Sequence, residues 1–372
     1  MPRPGRADRK YFLDWLRVAA FGVLILFHVG LLYVPWNYNL QSDRLLPSLE
    51  YLLISISPWR LALLFFISGV ASRFLLDKLT PGLFAVDRLR RLFVVLLLGV
   101  WVINPIQVYV ELLDKGVIEA GYFRFWLESY VRGQDFGNRR LPTWDHLWFL
   151  LYLLIYALAL AVIVKLVKRL SVWEPPLAML IVAPCVWLCL TNVLIEEFRP
   201  VTMALVDDWA NHLRWAGVFG AGTLCARASR FWDYTKRRRR LFLALSLLGL
   251  GAQIGNGVYW RSGNADPFWD GIVFGIIEGV YGWAVVLTLI GYAAAMLDRR
   301  SSALAYLTDA ILPIYVVHQP IMLVAAALMF PLLLPLFVEV LLLVLMTVGG
   351  SMAVYEVLVR RWKITRLLFG LR

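Results

Sequence analysis

The sequence predicts an all-α fold: a polytopic membrane protein of about ten transmembrane helices with both termini cytoplasmic. Three observations carry this reading. The chain is 61% hydrophobic and only 17% charged, with a mean hydropathy of +0.71, where a soluble domain sits nearer 45–50% apolar and about 25% charged. Apolar stretches about 20 residues long, enough to cross a bilayer, recur along all 372 residues. Sixteen Trp and sixteen Tyr suit a protein with many membrane–water interfaces, where amphipathic rings settle at headgroup depth.

The first span, 12–34, follows the basic start "RPGRADRK". It is too long for a signal peptide and is followed by no small-x-small cleavage pattern, so it is expected to be retained. Further spans are expected at 54–76, 92–112, 146–167, 175–195, 211–229, 241–260, 271–297, 303–329 and 332–359. The sixth, "NHLRWAGVFGAGTLCARAS", is rich in glycine, and the ninth carries Pro313 and Pro320. An even number of spans returns the chain to the side on which it began. With the N-terminus inside, the inner segments are the basic ones: "RPGRADRK", "DKLTPGLFAVDRLRR", "KLVKR", "RASRFWDYTKRRRR", "DRR" and "RRWKITRLLFGLR". The outer loops hold Glu196, Glu197, Asp207, Asp208, Asp266 and Asp270. The net charge of +12 and the pI near 9.8 therefore reflect topology, and no nucleic-acid partner is implied. "KRRRR" (236–240) reads as a topology signal touching anionic lipid, or as a contact for a polyanionic cytoplasmic ligand. Cys185, Cys189 and Cys225 lie in apolar stretches and read as small buried hydrophobes, with no metal cluster among them. No repeat and no separate soluble segment is evident, so residues 1–372 are expected to form one integral-membrane domain.

Polar residues inside spans are costly and point to function. In "LDWLRVAAFGVLILFH" the eleven residues from Arg17 to His28 turn a helix through about 1100°, close to three full turns, and raise it about 16 Å. Arg17 and His28 thus share a face, and Asp14 can pair with Arg17. Span two places Ser68 and Gly69 mid-membrane and Arg73 near its inner end. A small-residue patch there lets backbones approach closely or leaves room for a ligand. In "ILPIYVVHQP" His318 falls at about the depth of His28, and Pro320 frees a backbone carbonyl near it. Glu278 lies about two turns in from the outer end of span eight. Arg88, Arg90 and Arg91, just before span three, obey the positive-inside rule or form a phosphate clamp. "WDHLWFLLYLLIY" puts Asp145, His146, Trp148 and Tyr152 at the outer mouth of span four, either as an aromatic belt with a polar cap or on the acceptor side of a site. Together these outline a polar path with cationic groups at its inner mouth and a neutral histidine, the usual general base, towards the outer one. Such a path suits group transfer across a bilayer, and periodicity does not name the group.

The combination of Arg17 and His28 in the first span, "FFISG" in the second, "RLRRL" before the third, "HLWFL" opening the fourth and "IYVVHQP" in the ninth resembles the membrane acyltransferase-3 family, and within it the branch that succinylates periplasmic glucans. The matches run from residue 11 to about 320. The resemblance implies ten helices and acyl transfer from a cytoplasmic acyl-CoA, succinyl-CoA or acetyl-CoA, to a carbohydrate hydroxyl at the periplasmic face of a bacterial inner membrane. It makes the donor a substrate and not a bound cofactor, calls for no metal, and allows glucan-synthesis machinery as a partner. Carried over, His28 is the general base and Arg17, with Asp14, its motif partner. Arg88, Arg90 and Arg91, with Arg73, lie on the donor side. Ser68, the Gly69 backbone, His318 and Glu278 are candidates for oxyanion donors or supporting groups, and His146 and Trp148 for the acceptor side. The family's frequent "WSLSVEEQFY" pattern is here "HLWFLLYLLIY", so its glutamate is replaced by another group such as His146, or has no counterpart. A transporter or flippase without chemistry and a structural partner of a glycan-synthesis complex are the rival readings.

Overall fold

The computed structural model describes residues 10–137, 139–167, 175–198, 201–261 and 266–371. Residues 3–9 of the basic start, Lys168 and Arg169 of "KLVKR", and the Glu196 and Glu197 side chains lie outside what it describes. Among the described residues the fold is helical, with one isolated antiparallel bridge between Asp135 and Arg140.

The helices follow the apolar stretches. They are α1 (Tyr11–Leu31), α2 (Leu49–Leu76), α3 (Pro81–Asp114), α4 (Asp145–Leu166), α5 (Leu177–Phe198), α6 (Trp209–Cys225), α7 (Ser229–Arg237), α8 (Arg239–Arg261), α9 (Pro267–Met296), α10 (Ser302–Met329), α11 (Leu336–Val354) and the short α12 (Lys363–Leu368). Nine of the described helices are long and apolar enough to cross a membrane. The predicted sixth span is also helical: α6 has 17 residues, at the short end of what can cross a bilayer, and carries His212 and Arg214 near its start. The chain is an all-α, multi-pass membrane protein.

Span three departs most from expectation. The basic segment at 81–91, read as an inner loop, is helical and continuous with the span to Asp114. Pro81 stands at its first position, where a missing N–H costs nothing, and no Pro or Gly interrupts the chain from Leu83 to Leu98. The helix absorbs its irregularity as two π-helical turns, Leu89–Phe93 and Gly99–Ile103. Pro58, Pro184, Pro313 and Pro320 likewise lie inside helices, as neighbouring helices in lipid permit.

The chain divides into two compact units. The first comprises the described residues up to Ala20, Ile54–Gly82 and Ala159–Thr308. Its helices meet along small residues. A Cβ at Gly275 would lie 2.7 Å from the Val193 nitrogen, and one at Gly279 would lie 2.6 Å from the Cys189 nitrogen, so α5 and α9 touch backbone to backbone. Aromatic rings fill the remaining space: Phe65 stacks on Trp215 at 5.1 Å, and Phe66 packs against Phe231, Trp232 and Trp283. Cys225 is buried, as expected, whereas Cys185 and Cys189 are half-buried.

The second unit comprises Phe21–Leu53, Leu83–Leu158 and Asp309–Arg372. One cluster packs Val29, Leu32, Tyr33 and Leu40 against Met322, Leu323 and Leu343. Another gathers Val108, Leu112, Phe125, Tyr130 and Leu141 where α3 meets the loop before α4. Glu339, fully buried on α11, is compensated by Arg44 and by the Tyr33 hydroxyl, which donates to it at 3.0 Å. Burial first, and then the carboxylate, raise the Tyr33 pKa, so the phenol keeps the proton it donates.

Candidate functional site

Three histidines from three helices meet in the second unit. His28 on α1 faces His318 on α10, with His28 Nδ1 2.9 Å from His318 Nε2. The contact confirms that the two residues lie at one depth. His318 Nδ1 is 2.7 Å from the Tyr315 carbonyl oxygen. His146, in the 3-10 turn that opens α4, has Nε2 3.1 Å from the Val316 carbonyl oxygen and sets its ring edge-on to His318, centroids 5.3 Å apart. The Tyr315 hydroxyl donates to the His146 carbonyl, and Tyr38 lies parallel to the His28 ring at 6.4 Å. His318 is fully buried and His146 nearly so.

These contacts assign the protons. A carbonyl oxygen only accepts, so His318 Nδ1 carries hydrogen and donates to Tyr315. In the neutral ring Nε2 is then an acceptor, which makes His28 Nδ1 the donor of the pair. The lone pair of neutral His28 is thereby directed to Nε2, the arrangement a general base needs. Both nitrogens of His318 are engaged, so it holds no N–H for an oxyanion. The same reasoning puts the His146 hydrogen on Nε2. Its Nδ1, buried and without a hydrogen-bond partner, is an acceptor.

A charged network adjoins the histidines. Arg139, in the loop before α4, is 2.9 Å from Asp145 and also binds Glu111 at the end of α3. Burial opposes its charge, but Asp145 and Glu111 outweigh burial and raise the Arg139 pKa. Gln107 donates to Asp145 at 2.5 Å, Asn39 to Glu111 at 2.7 Å, and Gln319 to Asn39 at 3.4 Å. Tyr130 pins the loop by donating to Val100 O at 2.8 Å, and burial raises the pKa of its phenol. Asp145 was legible as a polar cap. Asn39, Gln107, Glu111, Arg139 and Gln319 were passed over, although Asn104, Gln107 and Glu111 stand at helical spacing on one face of span three.

The other predicted residues are placed as follows. In the first unit Asp14 and Arg17 form an ion pair at 3.8 Å. Ser68 is half-buried on α2, and Gly69 lies against α6, where a Cβ would sit 2.0 Å from Phe219 O. Gly69 thus permits a close helix crossing. Arg73 reaches Asp77 at 3.5 Å, and Arg227 holds the same carboxylate with two nitrogens. Glu278 pairs with Arg214 at 2.9 Å. In the second unit Arg88 binds Asp87 at 2.6 Å and lies over the Phe84 ring. Arg90 is exposed and Arg91 half-buried on the adjoining π-helical turn. Trp148 is buried edge-on to Tyr152 at 5.1 Å. The structure thus brings His28, His146 and His318 together in one unit, while Asp14, Arg17, Ser68, Gly69, Arg73 and Glu278 belong to the other. Among the described residues no cluster of His, Cys, Asp or Glu could hold a metal ion.

No curated protein and no solved structure matches the chain. One family model does: an acyltransferase domain of the acyltransferase-3 family, over residues 10–356. The match takes in the span of His28, Arg88, Arg90 and Arg91, the 3-10 turn of His146 and the helix of His318. The chain therefore belongs to the acyltransferase-3 family, as a multi-pass membrane acyltransferase.

Proposed function

We propose that the protein transfers an acyl group from a cytoplasmic acyl-CoA to a hydroxyl of a periplasmic glucan or other glycan, with both termini on the cytoplasmic side of a bacterial inner membrane. Succinyl is the favoured group and acetyl the alternative, on the resemblance of "HLWFL" and the accompanying motifs to glucan biosynthesis protein C. The observation that carries the reading is the His28–His318 contact of 2.9 Å, because it directs a basic nitrogen of His28 away from the pair.

The chemistry balances without a further reactant. His28 Nε2 takes the proton of the acceptor hydroxyl as its oxygen attacks the thioester carbonyl. The C–S bond then breaks, and the imidazolium returns the proton to the leaving thiolate, giving an ester and free CoA. His318 is a positioning residue: it accepts from His28 Nδ1 throughout and favours the imidazolium that forms. Arg88, Arg90 and Arg91 take the donor's phosphates. The CoA arm, like the Arg17–His28 rise of about 16 Å, is long enough to carry a thioester well into the membrane.

Mass spectrometry of periplasmic glycans from cells with and without the gene tests the reading. An added succinyl or acetyl mass that depends on the gene, and that His28→Ala removes, is the expected result. Identical glycans in both strains would refute it. Vesicle transport of a glycan that survives His28→Ala would favour the transporter instead.

A further inference from the structure

Pro320 lies inside α10, two residues after His318. Its ring has no N–H, so the carbonyl four residues earlier, that of Val316, loses the hydrogen bond an α-helix would give it. Within a membrane such a group needs another partner. His146 supplies one: its Nε2, the nitrogen that carries the hydrogen, stands 3.1 Å from Val316 O. A side chain from the opening turn of α4 thus delivers the N–H that Pro320 withholds from α10.

The contact is reciprocal. The Tyr315 hydroxyl donates to the His146 carbonyl, so each of the two elements gives a side-chain donor to the other's backbone. Two successive carbonyls of α10 therefore end on histidine rings: Tyr315 O accepts from His318 Nδ1 at 2.7 Å, and Val316 O accepts from His146. The turn that sets the His318 tautomer is the turn that His146 holds. All of these residues lie in the second unit.

His146 is itself aimed by its neighbour. Asp145 has a φ of 41°, a left-handed conformation that a non-glycine residue keeps only where its surroundings impose it. Arg139 binds the Asp145 carboxylate at 2.9 Å, Gln107 donates to it at 2.5 Å, and the Asp145 N–H donates to Thr143 Oγ1 at 3.2 Å. We propose that His146 is a positioning residue, whose Nε2–H replaces the backbone donor missing at Pro320 and so fixes the turn of α10 that presents His318 to His28. This takes His146 off the acceptor side. The consequence for acyl transfer rests on the proposed function, whereas the bond to Val316 does not.

A double-mutant cycle between His146 and Pro320 tests the assignment on the full chain in lipid nanodiscs, because Pro320→Ala returns to α10 the N–H that Val316 lacks. Each variant is assayed for transfer from succinyl-CoA to glycan extracted from a strain lacking the gene, and for its melting temperature. His146→Leu is expected to lower kcat about 5- to 150-fold, the equivalent of one buried acceptor left unmade, with the KM for glycan within about twofold. In the Pro320→Ala background the same change is expected to cost less than about threefold, and to lower the melting temperature less than it does alone. His146→Gln, whose amide nitrogen can reach the same carbonyl, is expected to recover most of the loss, and it carries the test should His146→Leu fail to fold. Equal losses in the two backgrounds, or a Gln variant as impaired as the Leu one, would overturn the proposal. So would a raised KM for glycan with kcat unchanged, which would return His146 to the acceptor side. No transfer by the wild-type protein would refute the proposed function alone, since the melting-temperature cycle still decides the bond to Val316.

Discussion

The relay from Tyr315 through His318 to His28 yields the sharpest prediction. His28 Nδ1 donates to His318 Nε2 at 2.9 Å, and when His28 takes a proton from the acceptor this becomes a hydrogen bond from a charged donor. Such bonds contribute about 1.5–3 kcal/mol, against roughly 1 for a neutral pair. In His318→Leu, which puts an apolar side chain of similar bulk in place of the imidazole, the stabilisation of the developing imidazolium is lost and the tautomer is no longer held. The expected cost is a roughly 10- to 150-fold fall in kcat, with little change in KM for acyl-CoA. In His318→Gln the side-chain oxygen can still accept from Nδ1, so part of the loss should be recovered. Steady-state transfer from radiolabelled acyl-CoA to extracted glycan, by the protein in nanodiscs, measures both constants. A His318→Leu enzyme with kcat within twofold of the wild type would refute the relay. So would a His318→Gln enzyme as inactive as His28→Ala, because His318 would then be handling the proton itself.

Further outcomes follow from other contacts. Arg139→Ala leaves Glu111 and Asp145 without their shared cation, and losing one partner of a buried ion pair costs about 3–5 kcal/mol. A clearly lowered melting temperature is expected, only partly restored by Arg139→Lys, since an ammonium cannot bridge two carboxylates as a guanidinium does. An unchanged melting curve would mean that water already screens the pair. Gly275→Ala would push a methyl to 2.7 Å from the Val193 nitrogen, so α5 and α9 must separate, at about 1–3 kcal/mol. Gly255→Ala, with open space around its Cβ, should be neutral or stabilising by up to about 1 kcal/mol. Equal melting temperatures for these two variants would contradict the packing argument. Arg90→Ala combined with Arg91→Ala should raise the KM for acyl-CoA severalfold and leave acceptor binding intact, as equilibrium binding of each substrate can show.

Much of this architecture was legible in the chain alone, because a bilayer imposes simple demands. Only a helix satisfies every backbone group of a single segment in hydrocarbon, so apolar stretches of the right length located the helices to within a few residues at most ends. The fixed rise of a helix also placed His28 and His318 at one depth before any contact between them was known. The start of α3 was hidden because arginines mark a cytoplasmic flank without saying whether the backbone there is helix or loop. The network around Arg139 could not be read at all. Its members come from the α1–α2 loop, α3, the α3–α4 loop, the start of α4 and α10, and in sequence each is an ordinary polar residue. Tertiary folding alone decides that Arg139 is shared by Glu111 and Asp145. It also decides which nitrogen of His28 carries the proton, since that depends on a carbonyl of Tyr315 nearly three hundred residues away in the chain.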